Sequence, residues 1–94
     1  MIIMLAARPR FPLGRVLMTP GVEANFTPEQ VTGAIRRHAS GDWGEVGATD
    51  AQENENSLKL GYRIMSVYSF DGKNLWVITE RDRSSTTVLL PEEY

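Results

Sequence analysis

The chain has 94 residues, a net charge of −2, 41% hydrophobic and 23% charged residues, and no Cys. That is enough for one modest core, and the absence of Cys excludes disulfides, thiolate nucleophiles and Cys-ligated zinc. Charge is uneven: residues 1–41 hold five Arg against two Glu, and residues 42–60 hold five acids against Lys59, a distribution that suits neither a non-specific DNA binder nor an acidic DNA mimic.

Residues 1–12 read as a flexible or strand-like N-terminal extension to a single domain over 13–94. The apolar run Met1 to Ala7 is followed, not preceded, by basic residues and is far shorter than a membrane span, so neither a secretory signal nor a membrane anchor is expected. A cytoplasmic protein is expected. Arg8-Pro9-Arg10-Phe11-Pro12 is not helical, because each Pro pushes its predecessor into extended geometry. Arg15-Val16-Leu17-Met18 is a short strand closed by Pro20-Gly21.

A helix starts at Thr27. Thr27 is its N-cap, Pro28 takes the first helical position, Gln30 completes a capping box, and Phe26 with Val31 forms a hydrophobic staple. Val31, Ala34, Ile35 and His38 share one face, and Gly41 ends the helix. Gly41-Asp42-Trp43-Gly44-Glu45-Val46-Gly47 is a glycine-punctuated loop around Trp43, which reads as a plug in the core, with an exposed partner anchor as the alternative. A second helix is capped by Thr49 with Gln52 at its third position and ends at Gly61. Its apolar face is thin, which places it at the surface.

Tyr62 to Tyr68 and Leu75 to Glu80 flank Asp71-Gly72, the strongest short-range hairpin signal. A two-residue turn there pairs Val67 with Trp76 and Met65 with Ile78 on one face, expected to be the buried one, and sets Arg63 opposite Glu80. Arg81 to Ser85 forms a second turn, and Thr86 to Leu90 a further strand stopped by Pro91. The expected fold is α+β: two short helices on a small antiparallel sheet of three or four strands, ending in a hairpin or meander.

Candidate chemistry is sparse. His38, the one His, reads as a half-buried residue closing a helix face, against the alternative of a general base beside Asp42 or Glu45. Asp42, Glu45 and Glu80 are the carboxylates a small metal-dependent nuclease would use, but Asp42-x-x-Glu45 fits no metal loop. No metal or cofactor is expected, and no catalytic residue is assigned. Arg81, Asp82, Arg83 and Ser84, with Trp43, are the candidate partner-binding residues. Arg8, Arg10, Arg15, Arg36 and Arg37 are the candidate contacts if the partner is a nucleic acid.

Three stretches carry a resemblance: Leu13-Gly14-Arg15 with Thr19-Pro20-Gly21; Arg37-His38-Ala39-Ser40-Gly41-Asp42-Trp43-Gly44; and Trp76 to Ser84 running on through Thr86 to Tyr94. The chain resembles an uncharacterised family of small proteins common on bacterial plasmids, integrative elements and prophages, over roughly Leu13 to Tyr94. Family members usually have Ala where this chain has Arg81. Some members carry a restriction-modification label, but the glycine-rich methyl-donor site and catalytic tetrapeptide of such an enzyme are missing here. The resemblance implies a non-enzymatic accessory protein of a mobile element that binds another protein, with a host-defence inhibitor of the anti-CRISPR or anti-restriction kind as the concrete form.

Overall fold

The computed structural model describes residues 9–94. Arg15–Met18 forms β1, Pro20–Asn25 α1, Pro28–Ser40 α2, Ala48–Leu60 α3, Ile64–Phe70 β2, Lys73–Thr79 β3 and Ser85–Leu89 β4, with a 3-10 turn over Pro91–Glu93. The fold is α+β. The sheet runs β1-β4-β3-β2 and is mixed, correcting the antiparallel expectation: β2, β3 and β4 form an antiparallel meander, and β1 lies parallel to β4. Three helices and the β2–β3 hairpin lie between β1 and β4 in the chain, so this parallel pairing needs no tight turn.

Local chemistry explains the elements. The α2 capping box forms as expected: Thr27 Oγ1 accepts from the Gln30 amide at 3.1 Å, and the Thr27 amide donates to the Gln30 side chain at 2.9 Å. Gly41 closes the helix in the left-handed conformation. Thr19-Pro20 repeats the Thr27-Pro28 signature and opens α1, where a simple stop was expected; Thr19 Oγ1 accepts from the Val22 amide. The N-cap of α3 lies two residues before the expected one. Gly47 is its N-cap without a side-chain bond, and Thr49 lies in the first turn. The preceding loop is pinned to β2, with the Glu45 amide donating to the Val67 carbonyl at 2.6 Å, which fixes where the helix begins.

The β2–β3 register is the expected one, from Ile64↔Thr79 to Phe70↔Lys73. Asp71 and Gly72 both have positive φ, the signature of a type I′ hairpin turn. Arg63 and Glu80 fall just beyond this ladder, and Arg63 hydrogen-bonds the Tyr94 hydroxyl and stacks on its ring.

The three helices among the described residues pack on one sheet face. The main core joins Val22, Phe26, Val31, Ala34 and Ile35 to Tyr68, Leu75, Val77 and Val88. A smaller cluster holds Phe11, Trp43 and Ile64, flanked by Ala51 and Leu58 of α3. Phe11 and Arg10, read from sequence as extension, are thus packed on the domain: Phe11 is buried, and the Arg10 amide donates to the Ala39 carbonyl at 2.8 Å.

Candidate functional site

The sheet face opposite the helices draws no residue into either core cluster. Strand pairing places two cross-strand rows on it. Met65, Ile78, Thr87 and Leu17 form one, and Val67, Trp76 and Leu89 form the other. The expectation that Met65, Val67, Trp76 and Ile78 share a face holds, but the helices cover the other one. Ile78 and Leu89 are buried, Met65, Val67 and Trp76 are half-buried, and Leu17 is exposed. Among the described residues, cover comes from the C-terminal turn, where the Tyr94 ring meets Trp76 edge-on at 5.3 Å. Along one rim, Tyr62, Arg63, Glu80 and Arg81 line a shallow cleft of about 310 Å³.

The helix-side face hides a polar chain. His38 is fully buried, not half-buried. Its Nδ1 lies 2.6 Å from Ser66 Oγ and its Nε2 2.9 Å from Thr79 Oγ1. Thr79 Oγ1 is 2.7 Å from Thr86 Oγ1, which donates to the Leu13 carbonyl at 2.7 Å. The Phe11 and Trp43 rings meet the imidazole edge-on at 5.2 and 6.0 Å. Burial, with a smaller contribution from the charge of Arg83, pushes the His38 pKa down to about 3. The ring is neutral and sealed from solvent, so it serves the interior and not a substrate.

The expected partner-binding residues divide. Trp43 is buried, its indole N–H donating to Glu55 at 3.0 Å, so it is a core plug. Gly44 makes that loop possible: its φ is +75°, and a side chain there would run into the Val67 carbonyl and the Tyr68 ring. Arg83 is a clamp. Its guanidinium donates to the carbonyls of Tyr62 at 2.7 Å, Glu80 at 3.1 Å and Ser57 at 2.9 Å, the last near the C-terminus of α3 where a cation is favoured. Asp82 accepts from the Ser84 amide at 2.9 Å, holding the turn. Arg81 is exposed and lines the rim cleft.

Two of the arginines expected for nucleic acid are held in ion pairs within the chain. Arg8 lies outside the described residues. Arg10 forms a two-point ion pair with Glu55 at 3.0 and 3.1 Å. Arg37 grips Asp42 at 2.7 and 3.2 Å and stacks on Tyr68. These bonds raise both guanidinium pKa values and lower those of Asp42 and Glu55. Arg15 and Arg36 are exposed, on β1 and α2. Asp42 is committed to Arg37, and among the described residues no three of His, Cys, Asp and Glu gather at metal-binding distance. No helix among them is long and apolar enough to cross a membrane.

Sequence reasoning placed the helices on the wrong sheet face because both faces of β2 and β3 carry apolar residues. The signal available in the sequence was the polar set Ser66, Thr79 and Thr86, which by strand alternation shares the face of Ile64, Tyr68, Leu75, Val77 and Val88. Comparison of the chain with protein families, curated proteins and solved structures finds no match.

Proposed function

We propose that this chain is a non-enzymatic binding protein that grips another protein through the sheet face opposite the described helices. The observation that supports this is the two-row apolar surface centred on Trp76, with Tyr94 over it and Arg63 and Arg81 at its rim. Interfaces combine an aromatic centre with a polar, arginine-bearing rim in this way. The turn Arg81 to Ser84 contributes through Arg81, while Arg83 holds the turn in place. The resemblance to plasmid and prophage proteins makes a host-defence component the most concrete partner and the cytoplasm the place of action, with the chain as an inhibitor of the anti-CRISPR or anti-restriction kind.

The experiment is a pull-down from the host, read by mass spectrometry and quantified for the parent, Trp76→Ala, Val67→Lys and a control, Arg36→Glu. The reading expects a protein captured by the parent and the control and lost with the two face variants, all four folded by circular dichroism. Capture unaffected by Val67→Lys overturns it.

A further inference from the structure

The two edges of the sheet are treated differently. On β2, Asn54 Nδ2 donates to the Met65 carbonyl at 2.7 Å and Asn54 Oδ1 accepts from the Met65 amide at 3.2 Å. One residue pair on, the Val67 amide donates to the Trp43 carbonyl at 3.1 Å, and its carbonyl accepts from Glu45. A side-chain amide and a loop therefore stand in for a fifth strand, and this edge is closed. On the other side β1 is the last strand among the described residues, and all four of its residues are exposed. Val16, Leu17 and Met18 are 39%, 40% and 43% exposed. Natural sheets usually block such an apolar edge, because its unpaired backbone groups are a template for another strand.

We propose that β1 pairs antiparallel with β1 of a second copy of this chain, joining two four-stranded sheets across a two-fold axis. The Arg15 and Thr19 amides donate inward to the Ser84 and Val88 carbonyls. In a parallel ladder of this phase, residues 15, 17 and 19 face β4, and the backbone N–H and C=O of Val16 and Met18 point outward. One two-fold register engages both outward residues of each copy: Val16 opposite Met18 of the other chain, in both directions, making four interstrand hydrogen bonds. Centring the axis on Val16 sets Met18 against Gly14, whose φ of +64° takes it out of the strand, and centring on Met18 sets Val16 against Pro20, which has no amide to give.

The same register satisfies the side chains. Val16 meets Met18 on the helix side. Leu17 meets its own copy on the axis, adding to the apolar row that holds Thr87, Ile78 and Met65. Arg15 falls opposite Thr19 of the other copy. Thr19 Oγ1 donates to Glu93 Oε1 at 2.6 Å, so a carboxylate stands beside the arriving guanidinium, once on each side of the axis. Arg15 is exposed and forms no ion pair within its own chain among the described residues. Backbone pairing, apolar contact and charge complementarity thus select one register, as isologous symmetry requires. The proposal does not rest on the partner-binding reading; it predicts an assembly of the chain alone.

The test is the mass of the 94-residue chain by light scattering and sedimentation, up to roughly 1 mM because so short a seam belongs with the weak interfaces. Amide hydrogen exchange is measured at Val16 and Met18 alongside. The expected result is a mass rising from 10.5 kDa toward twice that value, with both amides gaining protection as it rises. Leu17→Lys, which sets two cations face to face on the axis, and Arg15→Glu, which sets carboxylate against carboxylate, should each weaken association at least tenfold. Met18→Pro should abolish it, since residue 18 gives its amide to the seam and not to β4. If that variant fails to fold, the other two decide. Three results overturn the proposal: a chain that stays at 10.5 kDa; a dimer indifferent to Leu17→Lys and Arg15→Glu; and a monomer whose Val16 and Met18 amides are already protected, which means the chain covers its own edge.

Discussion

Ser66 Oγ stands 2.6 Å from His38 Nδ1, and the direction of that bond is set at the far end of the buried chain. Thr86 gives its one proton to the Leu13 carbonyl, so the proton between Thr79 and Thr86 belongs to Thr79. Thr79 then accepts from Nε2–H of the imidazole. That leaves Nδ1 bare, and Ser66 donates to it. A backbone carbonyl thereby fixes the tautomer of a histidine three hydrogen bonds away.

His38→Leu leaves the Ser66 and Thr79 hydroxyls short of a partner, and should cost about 3 kcal/mol, since each stranded buried group costs about 1–3 kcal/mol. Adding Ser66→Ala and Thr79→Val should return much of it, because removing both sides of a buried bond is close to neutral. Urea denaturation reads both effects. A triple variant less stable than the single one would show that the hydroxyls are satisfied without the imidazole.

The same ring sets an acid limit. In the unfolded chain a His titrates near 6.5, and in the fold at about 3. The folded form favours the neutral ring, so its stability is intact above pH 6.5 and drains away as pH falls toward 3. Between pH 7 and pH 5 the loss should be about 2 kcal/mol. Asp42 and Glu55, held below the usual carboxylate range by Arg37 and Arg10, lose their contributions only at lower pH. Urea midpoints at pH 7, 6 and 5 should slope for the parent and lie flat for His38→Leu. A flat parent profile would mean that the imidazole charges freely in the fold.

Arg81 and Arg83 sit two positions apart and should behave oppositely. Arg83→Ala removes bonds to the carbonyls of Ser57, Tyr62 and Glu80 and should lower stability by about 2–3 kcal/mol. Lys should restore little, because a point charge cannot span the fork. Arg81→Ala should stay within about 0.5 kcal/mol of the parent. Equal melting temperatures for the two variants would contradict the clamp.

Leu75 and Trp76 are neighbours on opposite faces of β3. Leu75, fully buried under the helices, should cost about 2–5 kcal/mol on truncation to Ala. Trp76, larger but half-exposed, should cost less, about 1–2 kcal/mol by the apolar area it buries, while removing the centre of the proposed partner surface. Thermal melts of the two variants give the order directly, and a larger loss for Trp76→Ala would place the working core on the helix-free side.

Much of the skeleton was legible. Asp71-Gly72 fixed the hairpin register, Thr27-Pro28-x-Gln30 with Gly41 bounded α2, and Pro91 ended β4, because each is a local signal with a local cause. The faces were not legible. Ser66, Thr79 and Thr86 look like solvent-side residues until His38, brought from another element, gives them partners, and the apolar Met65, Val67 and Trp76 then remain on the face opposite the described helices. Arg83 looked free for the same reason: its carbonyl partners lie on α3 and in two loops, and no spacing along the chain announces them. The Thr-Pro pair at Thr19 did announce α1, but Pro20-Gly21 reads equally as a stop.

Arg15 pairs with Ser85, and Met18 with Val88, across some seventy positions of chain. The order of synthesis and the order of assembly are therefore reversed. β1 leaves the ribosome early but has no neighbour to pair with until β4 follows, and the local β2–β3 hairpin closes long before that pairing can repay its loop entropy. From its own emergence until β4 follows, β1 is an apolar strand without the neighbour it pairs with in the fold. The chain's exposure to mispairing and its need for chaperones should peak just before its last strand emerges.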